Sequence, residues 1–299
     1  MAENVLTLIT VPPADGASLA QAAMGALKQL GASLGAIDWL APAVACDIPF
    51  DGLDADQALA AARLALAGQS VDLVSQAAVG RRKELLVADM ESTIIANEML
   101  DEIAALCGLT ERVAEITRRA MNGELEFSGA FKGRIALFTG LPETKLAEAG
   151  ARIRLTQGAK ELVATMRAHG AHTTLVSGGL TEFAGRVGAA LGFDSIVANA
   201  IEIADGKLTG KVREPIVGPA AKLETLKRLA AELRLPLAAT LAVGDGANDL
   251  QMVEAAGLGV AYHAKPILAN RARARIDHGD LTALLYAQGY RRDEIKSQL

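Results

Sequence analysis

Short apolar runs, separated by segments with helical spacing, fill most of this chain after about residue 84. The runs LLVAD, TTLVSGG, SIVAN, TLAVGDG and LGVAY are continuous rather than alternating in their apolar positions. Continuous apolar runs are typical of parallel strands that are buried on both faces. The pattern therefore predicts an α/β fold, a doubly wound parallel sheet with crossover helices on both faces.

The first 80 residues follow a different pattern. NVLTLIT predicts a strand, and a helix-spaced segment after it closes at Gly31; LGAIDWLA and AVACDIPF predict two strands around Pro42; DADQALAAARLALAG predicts a helix and VDLVSQ a last strand. The order βαββαβ is that of an α+β ferredoxin-like unit. We expect an ACT-like regulatory or dimerisation domain at residues 1–80, the polar segment GRRKE as linker, and a second domain at 81–299. Many domains share this order, so function does not follow from it.

One interval of the second domain is too long for a single crossover. Almost seventy residues separate Asp89 from the helix that begins near Gly158, and four segments between them have helical spacing. We expect these segments to form a helical cap, at about residues 97–156, inserted over the carboxyl ends of the strands. A cap in that place would act as a lid that excludes water.

Composition and charge narrow the class of protein. The chain is 51% apolar and 22% charged but only 3% aromatic, and its net charge is −5 without clustered Lys and Arg. This describes a globular protein and argues against nucleic-acid binding. No signal peptide is recognisable, and no apolar run reaches the ~18 residues that span a bilayer. Cys46 and Cys107 lie far apart in apolar surroundings, which favours reduced thiols and a cytoplasmic protein.

Three of the predicted strands end in residues that could do chemistry. Asp89 ends LLVAD, with Glu91 two places on; Ser177 and Gly178 end LVSGG; Asp245 follows TLAVG. In doubly wound sheets, reactive groups collect at the carboxyl ends of the strands. Asp89 could attack a phosphate that a metal makes electrophilic, while Glu91 donates a proton to the leaving group. Glycines beside a serine let backbone N–H groups approach an anion closely.

The loop AVGDGAND adds Asn248 and Asp249 to Asp245, and such hard oxygen ligands suit Mg²⁺. Taken singly, each motif also has a purely structural explanation: DMEST and ND as helix caps, SGG as a tight turn, and Lys222 as a solvated helix residue. The four histidines match no motif position, so we expect no zinc site.

In their order, however, the acid pair, the Ser-Gly-Gly turn, the helix-borne lysine and the Gly-Asp-Gly-x-Asn-Asp loop resemble the haloacid-dehalogenase (HAD) superfamily of aspartate-nucleophile phosphotransferases. Within it the chain resembles the phosphoserine phosphatases, over roughly residues 84 to 290. The resemblance implies a HAD-like fold and a Mg²⁺-dependent phosphatase. It would hydrolyse O-phospho-L-serine to L-serine and phosphate through an aspartyl-phosphate, the last step of serine biosynthesis.

The resemblance also implies a role for each matching residue. Asp89 would be the nucleophile, and Glu91 the general acid and base, with its backbone carbonyl at the metal. Asp245 would bind the metal, with Asp249 supporting it. Ser177, Gly178 and Lys222 would surround the phosphate, with Asn248 beside it. Glu98 would bind the substrate amino group and Arg134 its carboxylate, while Met121 and Phe127 would line the pocket.

One position departs from the family pattern, which usually has Asp where this chain has Glu91. The extra methylene would place the carboxyl more than about 1 Å further out unless the backbone or the rotamer compensates, and a misplacement of that size can lower a rate by ~10²-fold. The glutamate could instead be tolerated in this branch of the family. Slower turnover is a more natural consequence than loss of activity, because every other motif residue is present.

Three other hypotheses remain open at this point. The chain could act on another small phosphate ester, or transfer the phosphoryl group to an alcohol. It could be a non-catalytic sensor of phosphoserine or serine, which only Glu91 suggests. The N-terminal unit could bind serine as a feedback ligand or form a homodimer, in addition to the first function.

Overall fold

A computed structural model of the chain describes residues 2–11, 13–121 and 124–297, and every structural statement below refers to these residues. Within them the strands form a five-stranded antiparallel sheet, a two-stranded hairpin and a six-stranded sheet. None of the helices in the described ranges combines the length and the apolar character that crossing a bilayer requires.

The N-terminal sheet is antiparallel, in the order β2-β4-β1-β5, with β3 also paired to β4. Apolar residues of both helices pack against one face of this sheet, where Leu6, Leu27 and Leu59 belong to one buried cluster. The elements are β1 (Asn4–Thr10), α1 (Gly16–Gln29), β2 (Ser33–Leu34), β3 (Asp38–Ala41), β4 (Ala45–Asp51), α2 (Ala55–Ala65) and β5 (Val71–Ala77).

LGAIDWLA was expected to form one strand, but it forms the two short strands β2 and β3. The interruption lies opposite Pro49 of β4. Gly35 N donates to Pro49 O at 2.8 Å, and proline has no N–H with which to return the bond. The regular ladder therefore stops there and resumes only at Asp38.

Four helices follow the first strand of the second sheet, as the helical spacing between Asp89 and Gly158 predicted. This strand is β6 (Leu85–Asp89), and the helices are α3 (Met99–Cys107), α4 (Thr110–Met121), α5 (Phe127–Ala136) and α6 (Thr144–Gly150). Gly108, in the left-handed conformation, ends α3 and allows the reversal into α4.

The second sheet is wholly parallel, in the order β13-β12-β11-β6-β7-β8, as the continuous apolar runs predicted. The remaining elements are α7 (Ala159–Ala168), β7 (His172–Leu180), α8 (Thr181–Leu191), β8 (Ser195–Asn199), β9 (Ile201–Ala204), β10 (Lys207–Val212), α9 (Pro219–Glu232), β11 (Thr240–Gly244), α10 (Leu250–Ala255), β12 (Leu258–Tyr262), α11 (Pro266–Ala269), β13 (Ala274–Ile276) and α12 (Ala283–Ala287).

Helical spacing was expected between SIVAN and TLAVGDG, and α9 confirms it, but no strands were expected at residues 201–212. There the chain forms the antiparallel hairpin β9–β10. Asp205 and Gly206 join its strands, both with positive φ, at 50° and 69°. Two such residues make the tight turn that a two-residue hairpin requires, so the Asp-Gly pair was an available signal.

The strand order reverses between β6 and β11, because β7 and β8 continue to one side and β12 and β13 to the other. In such sheets the crevice at the reversal point is the usual binding site. Asp89 ends β6 and Asp245 follows β11, so the two carboxylates meet at this point. Ser177 lies in β7, on the other side of β6.

Candidate active site

A buried lysine joins two carboxylates at the centre of the crevice. Lys222 Nζ lies 2.7 Å from Asp89 Oδ1 and 2.6 Å from Asp249 Oδ1, and all three side chains are almost fully buried. Lys222 projects from the first turns of α9, which begins at Pro219 after the N-cap Gly218. A cation shared by two buried carboxylates offsets charges that burial alone would make very costly.

The same contacts set the protonation of these groups. Burial and the nearby Asp249 raise the pKa of Asp89, and the Lys222 ammonium opposes that increase. Burial lowers the pKa of Lys222, but Asp89 and Asp249 together raise it above its ordinary value. Lys222 is therefore a permanent cation at this point of the site.

Asp245 completes a cluster of three buried carboxylates with Asp89 and Asp249. One oxygen from each lies within 4.8 Å of the others. Asp249 Oδ2 also accepts from Gly246 N at 3.1 Å, so both of its oxygens have protein partners. Asp245 is paired instead with the half-exposed Lys265, whose Nζ lies 3.1 Å from Asp245 Oδ2. Hard carboxylate oxygens at this spacing fit a divalent cation such as Mg²⁺.

The loop around these carboxylates depends on a glycine. A Cβ at Gly244 would collide with Asp249 Cγ, so only glycine allows the end of β11 to pass so close to that carboxylate. Asn248 lies half-buried in the same loop, between Asp245 and Asp249. The loop thus holds its polar groups together by local backbone geometry.

Ser177 and Glu91 lie on either side of Gly179. Ser177 is fully buried, and its Oγ accepts from Gly179 N at 2.8 Å. A Cβ at Gly179 would come within 2.8 Å of Glu91 Oε2, so the glycine leaves room for the longer acid. Glu91 Oε1 accepts from Met99 N at 2.8 Å, at the first residue of α3. The additional methylene therefore lets the carboxyl reach the backbone N–H of Met99 at the start of α3.

Burial raises the pKa of Glu91 to about 7, with the charge of Glu98 as the next cause. The N–H of Met99 and the positive charge of Arg134 limit the increase. A carboxyl group with a pKa near neutrality can both donate and accept a proton in one catalytic cycle. Glu91 therefore has the protonation behaviour that a general acid and base requires.

The residues between β6 and β7 contribute charged and aromatic groups to the site. Glu98 Oε1 accepts from Ser92 Oγ at 2.7 Å, and Ser92 adopts a positive φ of 54° to bring its hydroxyl there. Arg134 is half-buried in α5, and its Nε is a buried donor without a partner in the described part of the chain. The positive charge of Arg134 acts on both Glu91 and Glu98.

Phe127, the first residue of α5, packs over two glycines of the site. A Cβ at Gly178 would lie 3.0 Å from the Phe127 ring, and one at Gly218 would lie 3.1 Å from it. The Phe127 ring also lies parallel to that of Phe131, at 6.2 Å between centroids. Met121 ends α4, but its side chain lies outside the described residues.

Two residues of this region were missed by sequence reasoning. Lys265 pairs with Asp245, and Asn199, at the end of β8, hydrogen-bonds both Gly178 and Val217. Each lies at or just after the carboxyl end of a parallel strand. That position was the available signal.

Comparisons with known proteins agree with this geometry. The sequence profile of the haloacid dehalogenase-like hydrolases matches residues 86–254. A phosphoserine phosphatase of Streptomyces coelicolor is 38% identical over 298 residues, which are 98% of this chain and 72% of that protein.

Two solved structures are similar to the chain over most or all of their own length. A probable phosphoserine phosphatase from Vibrio cholerae has a TM-score of 0.79 at 31% identity, over 98% of this chain and 88% of that one. A phospho-aspartyl intermediate analogue of a phosphoserine phosphatase has a TM-score of 0.64 at 39% identity, over 69% of this chain and 98% of that one. With its crevice of buried carboxylates, the chain belongs to the haloacid dehalogenase-like hydrolases, in the phosphoserine phosphatase family.

Proposed function

We propose that the chain hydrolyses O-phospho-L-serine to L-serine and phosphate, the last step of serine biosynthesis. The observation that carries the proposal is the buried contact of Lys222 with Asp89 and Asp249, beside a carboxyl group, Glu91, whose pKa is about 7. The names of the relatives support the substrate. A biosynthetic step on a free amino acid also supports a cytoplasmic location.

The reaction proceeds in two displacements at phosphorus. In the first, a carboxylate oxygen of Asp89 forms a bond to phosphorus, the bond from phosphorus to the serine oxygen breaks, and Glu91 gives its proton to that oxygen. In the second, water attacks phosphorus, Glu91 takes the proton of the water, and the bond from phosphorus to Asp89 breaks. Positioning and charge stabilisation carry most of the catalysis in such reactions.

The phosphate is held by groups that are already in place. Lys222 supplies a buried positive charge 2.7 Å from Asp89 Oδ1, next to the attacking group. Ser177 and the backbone N–H of Gly178 would supply neutral donors to the phosphate, and Asn248 would lie beside it. Asp249 holds the ammonium of Lys222 at 2.6 Å, which favours a supporting role for this aspartate.

The buried carboxylates fit Mg²⁺, the ion that we propose as the cofactor. Asp89, Asp245 and the backbone carbonyl of Glu91 would hold it, with Asp249 supporting them. When bound, the ion supplies positive charge that makes phosphorus more electrophilic. It also favours the ionised form of Asp89, against the rise in pKa that burial produces.

The amino-acid part of the substrate is recognised by the cap, which we place at about residues 97–156. The Nε of Arg134 is a buried donor without a partner among the described residues. A guanidinium can hold a carboxylate with two parallel hydrogen bonds. Glu98 faces the ammonium group, with its carboxylate held by Ser92. Phe127 packs over the glycines of the phosphate site and closes it from water.

We also propose a ferredoxin-like, ACT-like fold for residues 1–80, ahead of a catalytic domain at 81–299. The antiparallel order β2-β4-β1-β5 with two helices on one face supports this assignment. This unit is the candidate for binding serine as a feedback ligand and for forming a homodimer. Titration of the full chain with L-serine, and light scattering for its mass in solution, test these two roles.

Release of inorganic phosphate from O-phospho-L-serine, with and without Mg²⁺, tests the proposed function. Wild type should turn over only with the metal, and Asp89→Asn should abolish turnover. Lys145→Met, in a surface pair on α6, is the control and should leave the rate unchanged. Hydrolysis of another ester but not of phosphoserine would overturn the substrate. Binding of phosphoserine without any hydrolysis would favour the sensor hypothesis.

A further inference from the structure

Asn199, the last residue of β8, bridges two loops of the proposed phosphate site. Its side chain is 1% exposed. Nδ2 donates to Gly178 O at 2.9 Å and to Val217 O at 3.2 Å, and Oδ1 accepts from Val217 N at 2.7 Å. Both amide donors and the acceptor are therefore used on backbone groups of two segments that are distant in sequence.

The two segments carry opposite sides of the proposed phosphate site. Gly178 immediately follows Ser177 in the last part of β7. Val217 precedes Gly218, the N-cap of α9, and Lys222 lies one turn further along that helix. The Asn199 amide thus lies between the Ser177–Gly178 segment and the start of the helix that carries Lys222.

The packing around the bridge leaves little room for the loops to move. A Cβ at Gly178 would meet Phe127 at 3.0 Å and Val217 O at 3.7 Å. The ring of Phe127 rests on Gly178 and Gly218, one from each segment. A change in the distance between the two segments would therefore also disturb the packing of the Phe127 ring.

We propose that Asn199 is a positioning residue that fixes the Ser177–Gly178 segment of β7 relative to Lys222 and thereby sets the affinity of the site for phosphate. It contacts neither phosphate nor the reacting atoms, and it acts through the carbonyl of Gly178 and both backbone groups of Val217. The inference rests on the proposed function, since it concerns the same phosphate site.

The chemistry of the contact requires an amide. The Val217 backbone presents one donor and one acceptor, and Gly178 presents a second acceptor; an amide, with two N–H donors and one carbonyl oxygen, matches all three groups. Aspartate has the same shape, but it would turn an oxygen towards the carbonyls of Gly178 and Val217. Alanine would leave three buried backbone groups without partners, and glutamine is one methylene too long for the same distances.

The test compares Asn199→Asp and Asn199→Ala with wild type in three measurements: kcat and KM for phosphoserine, the Kd of inorganic phosphate by calorimetry with Mg²⁺ present, and the melting temperature. We expect the Kd of phosphate to rise at least tenfold and kcat/KM to fall by ~10²-fold, the loss typical of a 1 Å misplacement. Asn199→Asp is the decisive variant because it preserves volume.

Asn4→Ala is the matched control, since Asn4 Nδ2 donates to the carbonyl of Leu53 in the N-terminal sheet. It should lower the melting temperature without changing the Kd of phosphate. Asn199 variants that melt lower but keep the wild-type Kd and kcat/KM would overturn the positioning role. If wild type binds phosphate but does not hydrolyse phosphoserine, the proposed function fails, while the phosphate affinities still decide the role of Asn199.

Discussion

At the scale of single residues, Glu91 decides how this chain differs from the usual family pattern. The sequence left two alternatives open, that its longer side chain misplaces the carboxyl or that the surroundings compensate for the extra length. The structure accommodates it, because Oε1 reaches Met99 N and the absence of a side chain at Gly179 leaves room for Oε2. We therefore regard the surroundings of Glu91 as fitted to glutamate.

Glu91→Asp should lower kcat/KM by roughly 10- to 10²-fold, because the shorter side chain withdraws from Met99 N. Glu91→Gln should lose more, since it cannot protonate the leaving oxygen. The measurement is phosphate release under saturating Mg²⁺. Glu84→Asp, an exposed position just before β6, is the control and should change neither kcat nor KM. Wild-type rates in Glu91→Gln would contradict the acid–base role.

The pH dependence of the wild-type rate follows from the same residue. Glu91 must be protonated to serve as the acid in the first step, and its pKa is raised to about 7. As pH rises through this value the acid form is lost, so kcat/KM should fall on the alkaline side of about 7. This limb should be absent in Glu91→Gln, and its persistence there would assign it to another group.

Lys265 is the second residue with a testable consequence. Its ammonium lies 3.1 Å from Asp245 Oδ2, at one of the proposed metal ligands. Lys265→Met should therefore bind Mg²⁺ several-fold more tightly, as expected for the loss of an exposed charge worth ~1 kcal/mol or less. Calorimetric titration with Mg²⁺ measures this, with Lys145→Met as control. Weaker binding in Lys265→Met would show that the lysine assists the metal site.

At the scale of elements, the hairpin β9–β10 is hydrogen-bonded to the loop between α5 and α6. Gly140 N donates to Leu208 O and Glu143 N to Gly206 O, so the loop after α5 is bonded to the hairpin. Gly210 has a φ of 80°, and a Cβ there would collide with Thr139 Oγ1. No strand was predicted here, although the Asp205-Gly206 pair that joins the two strands is a hairpin signal.

A comparison of Gly210→Ala with Gly206→Ala separates the cost of backbone strain from the cost of overpacking. Both glycines have positive φ, but a Cβ at Gly206 would meet nothing within 4 Å. Gly206→Ala should cost about 1 kcal/mol of unfolding free energy, from backbone strain alone. Gly210→Ala should cost about 1 to 3 kcal/mol more, because its methyl group overpacks the contact with Thr139. Urea unfolding measures both, and equal losses would contradict the packing role.

At the scale of the whole molecule, the N-terminal sheet shares a core with the catalytic sheet. Ile9 and Val74 belong to the same buried cluster as Leu285 and Tyr286. Asp72 of β5 is buried, and its carboxylate accepts from three consecutive N–H groups of Asp277, His278 and Gly279, after β13. Removal of residues 1–80 would expose this core, so single substitutions are the better probe of the N-terminal unit.

Asp72→Ala should cost about 2 to 3 kcal/mol of unfolding free energy, because three backbone donors at the junction lose a charged acceptor. Asp54→Ala is the matched control. That carboxylate accepts only from Gln57 N at the exposed start of α2, which is worth about 1 kcal/mol. Denaturant unfolding, followed by one probe in the N-terminal sheet and one in the parallel sheet, measures the difference in unfolding free energy between the two variants. An Asp72→Ala cost no larger than that of Asp54→Ala would show that the junction contributes little.

The sequence by itself determined the parallel sheet, the four helices between β6 and β7, and the strand ends near which Asp89 and Asp245 lie. It placed Ser177 at a strand end as well, but β7 continues past Ser177 to Leu180. Local patterns suffice for these features, because burial on two faces imposes continuous apolar runs and helices impose their own spacing. The ordered motifs also indicated the family, since chemistry at strand ends depends on residues that stay close in sequence.

Only the tertiary structure decided which distant groups meet. The pairing of Lys222 with Asp89 joins residues 133 positions apart, and the contacts of Asn199 and Asp72 likewise cross between loops whose separation no local pattern records. The room for Glu91 depends on Gly179 of a neighbouring strand. These contacts depend on how packed elements approach each other in space, and spacing along one segment of the chain carries no information about that.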